Sequence, residues 1–168
     1  MTDRPDGMLF RCTKETYEGS FKQDVLEQYK LYVQSAENVS ARRVASSLYL
    51  LTLNVALVAL YGFQSSKFDP GWWAMLVPIL GALVSALWHR IIKSHRDLNA
   101  VKFKIIHECE QRLPAAPYAH EWRLAEEGQG TPYRSVTDIE RWIPLAFLGL
   151  HLVLFIVLAS NALQAWRA

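Results

Sequence analysis

Residues 44–63 read VASSLYLLTLNVALVALYGF and contain no charged side chain. Two further apolar stretches, 72–88 and 142–163, have the same character, and the third has His151 as its single titratable residue. A helix needs about 20 apolar residues to cross the hydrocarbon core of a bilayer. Three such stretches in a chain of 168 residues predict an all-α integral membrane protein with three transmembrane helices and long helical cytosolic extensions.

The polar segments 1–43 and 89–141 carry most of the charge, and each is nearly balanced. The first holds seven basic and seven acidic residues and the second nine and eight, so no basic surface for nucleic acid is expected. The chain shows no phosphate-binding loop, nucleophile motif or matched carboxylate pair. His107 and Cys109 are two residues apart, which places them on different faces of a helix and makes a poor metal pair. The sequence therefore predicts no enzyme, no cofactor and no metal.

Lysine and arginine are unequally distributed between the two ends of the apolar stretches. Cytosolic loops carry an excess of basic residues, so the richer side is the cytosolic one. This predicts cytosolic segments 1–43 and 89–141, an exterior turn 64–71 and an exterior C-terminus 164–168. Tryptophans at the ends of the stretches, Trp88 and Trp142 among them, are expected at the membrane interfaces. The richer side has Lys30, Arg42, Arg43, Arg90, Lys93, Arg96, Lys102, Lys104, Arg134 and Arg141; the other has Lys67 and Arg167.

The cytosolic segments have helical patterns. Ser20–Gln23 fits a capping box, which starts a helix that continues to residue 63. The second span is expected to continue as a helix until Pro114, residues 126–133 (EEGQGTPY) are expected to form a loop, and Thr137–Glu140 is a second capping box before the third span. Two apolar stripes recur every three or four residues and predict an antiparallel helical stalk. They are Phe21, Val25, Tyr29, Tyr32, Ala36 and Val39, and Leu98, Val101, Ile105, Cys109 and Leu113.

Asn54 and His151 are the deepest polar residues of the predicted spans, and Ser85 is the polar candidate of the span between them. At 1.5 Å per residue, Asn54 and His151 both lie about 15 Å from the cytosolic ends, a depth that allows direct contact between them. An ionisable group inside the membrane is a functional candidate. The alternative, which we favour, is a neutral His151 whose hydrogen bonds stabilise helix packing.

Two further groups of residues are candidates for contacts with other molecules. Small residues let helices approach closely in lipid, which makes span two a candidate for oligomer packing. Basic residues that follow this span could bind anionic lipid headgroups; the alternative is that they only set the topology and form a solvated helix face. The packing candidates are Gly81, Ala82, Ser85 and Ala86, and the lipid candidates are Arg90, Lys93 and Arg96.

Several segments together resemble the RipA-like family of octameric bacterial inner-membrane proteins. They are EQYKLYV (27–33), SARR (40–43), KSHRDLNAVKFKIIHE (93–108), LPAAPY (113–118) and DIERWIP (138–144). The resemblance implies a homo-octamer in the bacterial inner (cytoplasmic) membrane, with its own copies and membrane lipids as partners. It implies no chemistry.

Two functions are therefore considered. The first is a ring-like scaffold or a channel-like assembly of identical subunits, with a cytosolic helical stalk. The second is a membrane-anchored interaction module whose stalk binds a cytosolic protein. A conducting pore needs polar residues along one helix face, and the scarcity of such residues in the spans argues against a wide wet pore.

Overall fold

The computed structural model describes residues 9–67, 72–125 and 140–167, apart from the side chains of residues 64–67, 72, 73, 165 and 166. The helices are α1 (Phe21–Lys67), α2 (Leu76–Glu110), α3 (Pro117–Leu124) and α4 (Trp142–Arg167), and a 3-10 turn, Trp72–Met75, leads into α2. Within these ranges there is no strand. By length and composition, α1, α2 and α4 can each cross a membrane. The predicted all-α membrane protein with three such helices is confirmed.

Both α1 and α2 continue well beyond their apolar stretches. Helix α1 has 47 residues, about 70 Å at helical rise. It begins after Ser20, whose carbonyl accepts the amide of Asp24 at 3.0 Å, so the predicted start is confirmed. It ends at Lys67, inside the segment predicted as an exterior turn. Helix α2 has 35 residues. Residues 137–139 of the second predicted capping box lie outside the described residues.

Helix α3 lies between Pro114, the predicted end of the second helix, and the predicted loop, residues 126–133, which are outside the described residues. Pro117 occupies its first position, where a missing backbone N–H has no consequence and the fixed φ suits the helix. Ala116 precedes it and offers no side-chain cap. The local sequence therefore offers Pro117 as a start signal but no side-chain cap, and the cap comes from a residue outside α3.

The contacts divide the chain into two compact units. We call residues 41–96 and 135–168 the apolar unit, and residues 1–40 and 97–134 the polar unit. In the apolar unit the buried positions of α1, α2 and α4 recur every three, four or seven residues. This is the spacing of helices that pack at a shallow angle, as in a coiled coil. The buried positions are Leu50, Asn54 and Leu57 on α1, Pro78, Gly81, Ser85, Trp88 and Ile92 on α2, and Pro144, His151 and Leu158 on α4.

Trp88 lies in the core of the apolar unit, where protein and not lipid covers its indole; its place at the depth of the inner membrane interface stays a prediction. Its side chain is buried with Leu50 and Ile92, and its Nε1–H donates to Ser47 Oγ at 3.2 Å. Its ring centroid is 6.3 Å from that of Phe147. An indole can replace interfacial water by a partner on another helix when it is buried. Trp142, by contrast, is 62% exposed.

In the polar unit, α1 and α2 run antiparallel, and one of the two predicted stripes is partly wrong. On α1 Val25 and Ala36 are buried, as predicted. On α2 the buried apolar positions are Ile106 and Cys109, of which only Cys109 was predicted, whereas Leu98 is 48% exposed and Val101 53% exposed. The face of α2 that contacts α1 is polar at its start. An apolar-only pattern therefore selected the neighbouring face.

Hydrogen bonds between side chains join the two helices where the apolar pattern ends. Asn99 Nδ2 donates to Ser40 Oγ at 2.9 Å, and Lys102 Nζ donates to Ser35 Oγ at 2.7 Å. The Lys102 ammonium also lies 5.1 Å from the centre of the Tyr32 ring, within the distance of a cation–π contact. The packed face of α2 in the polar unit therefore changes from polar to apolar along its length.

Candidate functional site

The polar side chains deepest in the apolar unit come together in one cluster. Asn54 on α1 is fully buried, as is Ser85 on α2, and His151 on α4 is 1% exposed. Ser85 Oγ donates to Asn54 Oδ1 at 2.8 Å, and His151 Nε2 lies 3.2 Å from the same oxygen. One carbonyl oxygen therefore links all three membrane helices. The direct contact between Asn54 and His151 that their depths allow is present.

The orientation of Asn54 determines which atoms donate in this cluster. Its Nδ2 donates to the Leu50 carbonyl one turn earlier, at 2.8 Å, which leaves Oδ1 directed at the other two residues. An amide oxygen can only accept a hydrogen bond, so His151 must carry its proton on Nε2. Ser85 Oγ lies 2.8 Å from both Asn54 Oδ1 and the Gly81 carbonyl. Its one hydrogen serves one of these acceptors at a time.

Gly81 makes room for the His151 ring. A Cβ at position 81 would overlap the ring atoms Cε1, Nδ1 and Nε2. Among the predicted oligomer-packing candidates, Gly81 and Ser85 therefore contact helices of their own subunit. Ala82 is half-buried and Ala86 is exposed, so these two could still face another subunit. Their role in oligomer packing stays a prediction.

The cluster has the chemistry of a packing contact. His151 Nδ1 is buried without a hydrogen-bond partner among the described residues, and the cluster contains no acidic side chain. No group of three or more potential metal ligands occurs in the described part of the chain. We expect a histidine enclosed in this way to be neutral, since charging it would leave a buried cation without a counter-charge.

The basic residues that follow the second span lie on the surface of the apolar unit. Arg90, Lys93 and Arg96 are exposed, as lipid binding requires, and whether they bind anionic headgroups stays a prediction. Arg43 directly precedes the first apolar stretch and pairs with Glu140 at 3.7 Å. These side chains, both mostly buried, form an ion pair within the apolar unit.

A second polar cluster, in the polar unit, was not predicted from the sequence. Glu110 ends α2 and is 2% exposed. Its Oε1 accepts from Tyr29 Oη at 3.0 Å and from the Tyr118 amide at 2.9 Å, and its Oε2 accepts from the Ala119 amide at 2.9 Å. The two amides belong to the first turn of α3, whose N–H groups have no partner inside the helix. Glu110 therefore caps α3 and joins it to α1.

The electrostatics of this cluster suit a buried carboxylate. The N-terminal end of a helix favours a negative charge, and hydrogen bonds to charged groups are among the stronger ones. Burial, and then the hydrogen bond to Glu110, raise the pKa of Tyr29, so its hydroxyl stays a donor. Burial, followed by the nearby carboxylates of Glu37 and others, also raises the pKa of Tyr118. One sequence signal could have located this cap: Pro117, which can start a helix, follows the acidic Glu110 by a few residues.

The polar unit also contains an open groove of about 320 Å³. Its walls are mostly apolar, and one carboxylate stands at its edge. The ring centroids of Phe103 and Tyr118, on two of its walls, are 5.8 Å apart. The residues that line it are Val33, Ala36, Glu37, Ser40, Phe103, Ile106 and Tyr118.

Comparison with known proteins agrees with the resemblance noted above. The model of the octameric membrane protein family (8xMP) matches residues 26–160. That range contains every segment on which the resemblance was based, together with the three polar residues of the membrane cluster. No curated protein and no solved structure matches the chain. The resemblance to octameric membrane proteins is confirmed.

Proposed function

The chain belongs to the octameric membrane protein family, and we propose that it forms a homo-octameric, ring-like scaffold in the bacterial inner membrane. In this proposal the polar unit and the N-terminus lie in the cytosol and the C-terminus lies outside. The orientation follows from the distribution of lysine and arginine. The inner membrane follows from the family resemblance.

The scaffold proposal is supported by the hydrogen bonds that the polar side chains of the membrane helices make within their own subunit. Ser85 and His151 both bind Asn54, and Thr52 Oγ1 donates to the Leu48 carbonyl of its own helix at 2.9 Å. Ser47 Oγ accepts from Trp88. Each of these side chains has a hydrogen bond inside its own subunit, whereas a hydrated pore needs polar groups along its path. This supports a scaffold over a conducting channel.

The outer surfaces of the membrane helices are suited to lipid and to neighbouring subunits. On α4, Leu152, Val153 and Ile156 are 49%, 58% and 63% exposed, and Leu83 on α2 is 64% exposed. Each subunit would thus present apolar side chains outward on all three helices. Lipid and the membrane helices of other subunits are equally apolar. Whether such a face contacts lipid or another subunit is therefore decided by how well its small and large side chains pack. In an eightfold ring, lipid would fill any central space not closed by protein.

The test is the mass and shape of the purified assembly, together with a flux assay. Native mass spectrometry of the detergent-solubilised protein should give eight copies, and particle images should show a ring. Vesicles that contain the protein should retain a small fluorescent anion and a potassium gradient as well as protein-free vesicles do. Rapid leakage through the intact octamer would favour a channel. A monomer would contradict the scaffold and favour a membrane-anchored module that binds a separate cytosolic protein.

A further inference from the structure

Helix α3 exposes large apolar side chains in the unit that carries most of the charge. It has eight residues, none of which is buried. Trp122 is 46% exposed and Leu124 67% exposed. A helix this short has little stability alone in water, and α3 is held at its first turn by Glu110, whose carboxylate accepts from the Tyr118 and Ala119 amides. Its second turn therefore presents a tryptophan and a leucine from an anchored position.

The same unit contains a groove that these side chains do not fill. The groove of about 320 Å³ has an apolar floor that includes Val33, Ala36 and Ile106, and neither Trp122 nor Leu124 lines it. A groove of this size takes one or two side chains, since ligand pockets start at about 300 Å³. Tryptophan is the residue most enriched as an anchor in such interface pockets.

Charge agrees with this pairing of surfaces. Glu37 lines the groove and is exposed, and Arg123, directly after Trp122, is exposed as well. A tryptophan that enters the groove from another molecule would bring its neighbouring arginine towards this carboxylate. Exposed ion pairs add little affinity but determine orientation.

We propose that the α3 segment of one subunit docks into the groove of the next, with Trp122 on the apolar floor and Arg123 beside Glu37. The inference rests on the proposed octamer and specifies one of its interfaces. The two surfaces are different parts of one unit, and in the proposed ring each subunit uses its groove on one neighbour and its α3 on the other, which makes the contact heterologous. Heterologous contacts between identical subunits close into a ring when the rotation permits. Each of eight subunits would then use both its groove and its tryptophan.

Cysteine cross-linking between two differently tagged chains tests the contact. In a background with Cys12→Ser and Cys109→Ala, one chain carries Trp122→Cys and the other Val33→Cys, and the coexpressed octamer is treated with a short bismaleimide. A product that carries both tags is expected. The control replaces Val33→Cys by Leu31→Cys. Leu31 lies two residues from Val33, outside the groove, and its native side chain is 66% exposed. The control should give little product.

A chain that carries both Trp122→Cys and Val33→Cys separates a ring from other arrangements. Head-to-tail contacts should give a ladder of products up to eight copies. A ladder that stops at two copies, or a link within a single chain, would overturn the inference. An octamer of normal mass that gives no cross-linked product would also overturn the inference. This is the result expected if α3 lies on the lipid surface or on another protein. That last result leaves the octamer itself standing, whereas a wild-type mass below eight copies would contradict the proposed function.

Exchange of the two charges gives an independent readout. In the tagged pair, Glu37→Arg or Arg123→Glu introduced into both chains should reduce the yield of cross-linked product about two- to fivefold, the range for an exposed ion pair. The two changes together restore opposite charges at every interface and should restore the yield. Equal yields with the native charges, with either single change and with both changes would contradict the proposed contact between Arg123 and Glu37.

Discussion

Replacement of Gly81 by alanine is the most direct test of the polar cluster between the membrane helices. The added Cβ would overlap the ring of His151, so the ring has to move away from Asn54 Oδ1. Gly149→Ala is a matched control, because it also adds one methyl group to a glycine in a membrane helix, and nothing lies within 4 Å of its Cβ. Alanine favours a helix over glycine by roughly 0.5–1 kcal/mol at both positions.

The difference between the two variants isolates the cost of the overlap. The gain in helix propensity is common to both and cancels. Overpacking of a closely packed site costs about 1–3 kcal/mol, and loss of a hydrogen bond between membrane helices costs about 0.6 kcal/mol on average. We therefore expect Gly81→Ala to be less stable than Gly149→Ala by about 2–4 kcal/mol.

Unfolding of the detergent-solubilised protein, followed by near-ultraviolet circular dichroism, measures this difference. Gly81→Ala should unfold at a clearly lower temperature than Gly149→Ala. His151→Ala should cost less in the Gly81→Ala background than in the wild type, because the small side chain removes the overlap and residues in contact are not additive. Equal stability of the two glycine variants, or additive effects of Gly81→Ala and His151→Ala, would refute the packing that we describe.

Three further predictions follow from the same structure. His151→Leu leaves the Asn54 oxygen with one partner fewer and should lower the free energy of unfolding by about 0.6–1.7 kcal/mol. His151→Gln can still donate a hydrogen bond and should lower it less. Equal losses in the two variants would contradict a packing role. Glu110→Ala leaves two amides of α3 without an acceptor, so trypsin should cleave after Arg123 faster than in the control Glu108→Ala, and equal rates would argue against the cap. Topology reporters should read inside, outside, inside and outside when fused after Arg43, Ser66, Glu126 and Ala168, and a cytosolic signal at the last site would contradict the predicted orientation of α4.

The membrane helices were predictable because one property of the sequence decides them. In lipid every backbone polar group needs a partner inside the protein, so a long apolar run without charges must be helical. This held for 44–63 and 142–163, which lie in α1 and α4, and for 72–88, which lies in α2 apart from the 3-10 turn at its first four residues. The start of α1 after Ser20 was also predictable, since the helix start has a local signal there.

Contacts between distant residues were less predictable, although depth along the helix was informative. The meeting of Asn54 and His151 could be expected from the distances of both residues from the membrane edge. That Gly81 provides the space for the ring, and that Ser85 joins the same oxygen, depends on how the helices are rotated about their axes. Rotation is determined by packing against neighbouring helices, which the pattern of one apolar helix does not reveal.

In the polar unit the tertiary structure decided most of what matters. The face of α2 that packs on α1 begins with Asn99 and Lys102, which a search for apolar stripes passes over. The cap of α3 comes from Glu110, which lies outside the helix and is brought to it only by the turn between α2 and α3. Sequence patterns report the local cost of exposing or burying a residue. A hydrogen bond between residues far apart in the chain is favourable only once the fold has placed both partners away from water.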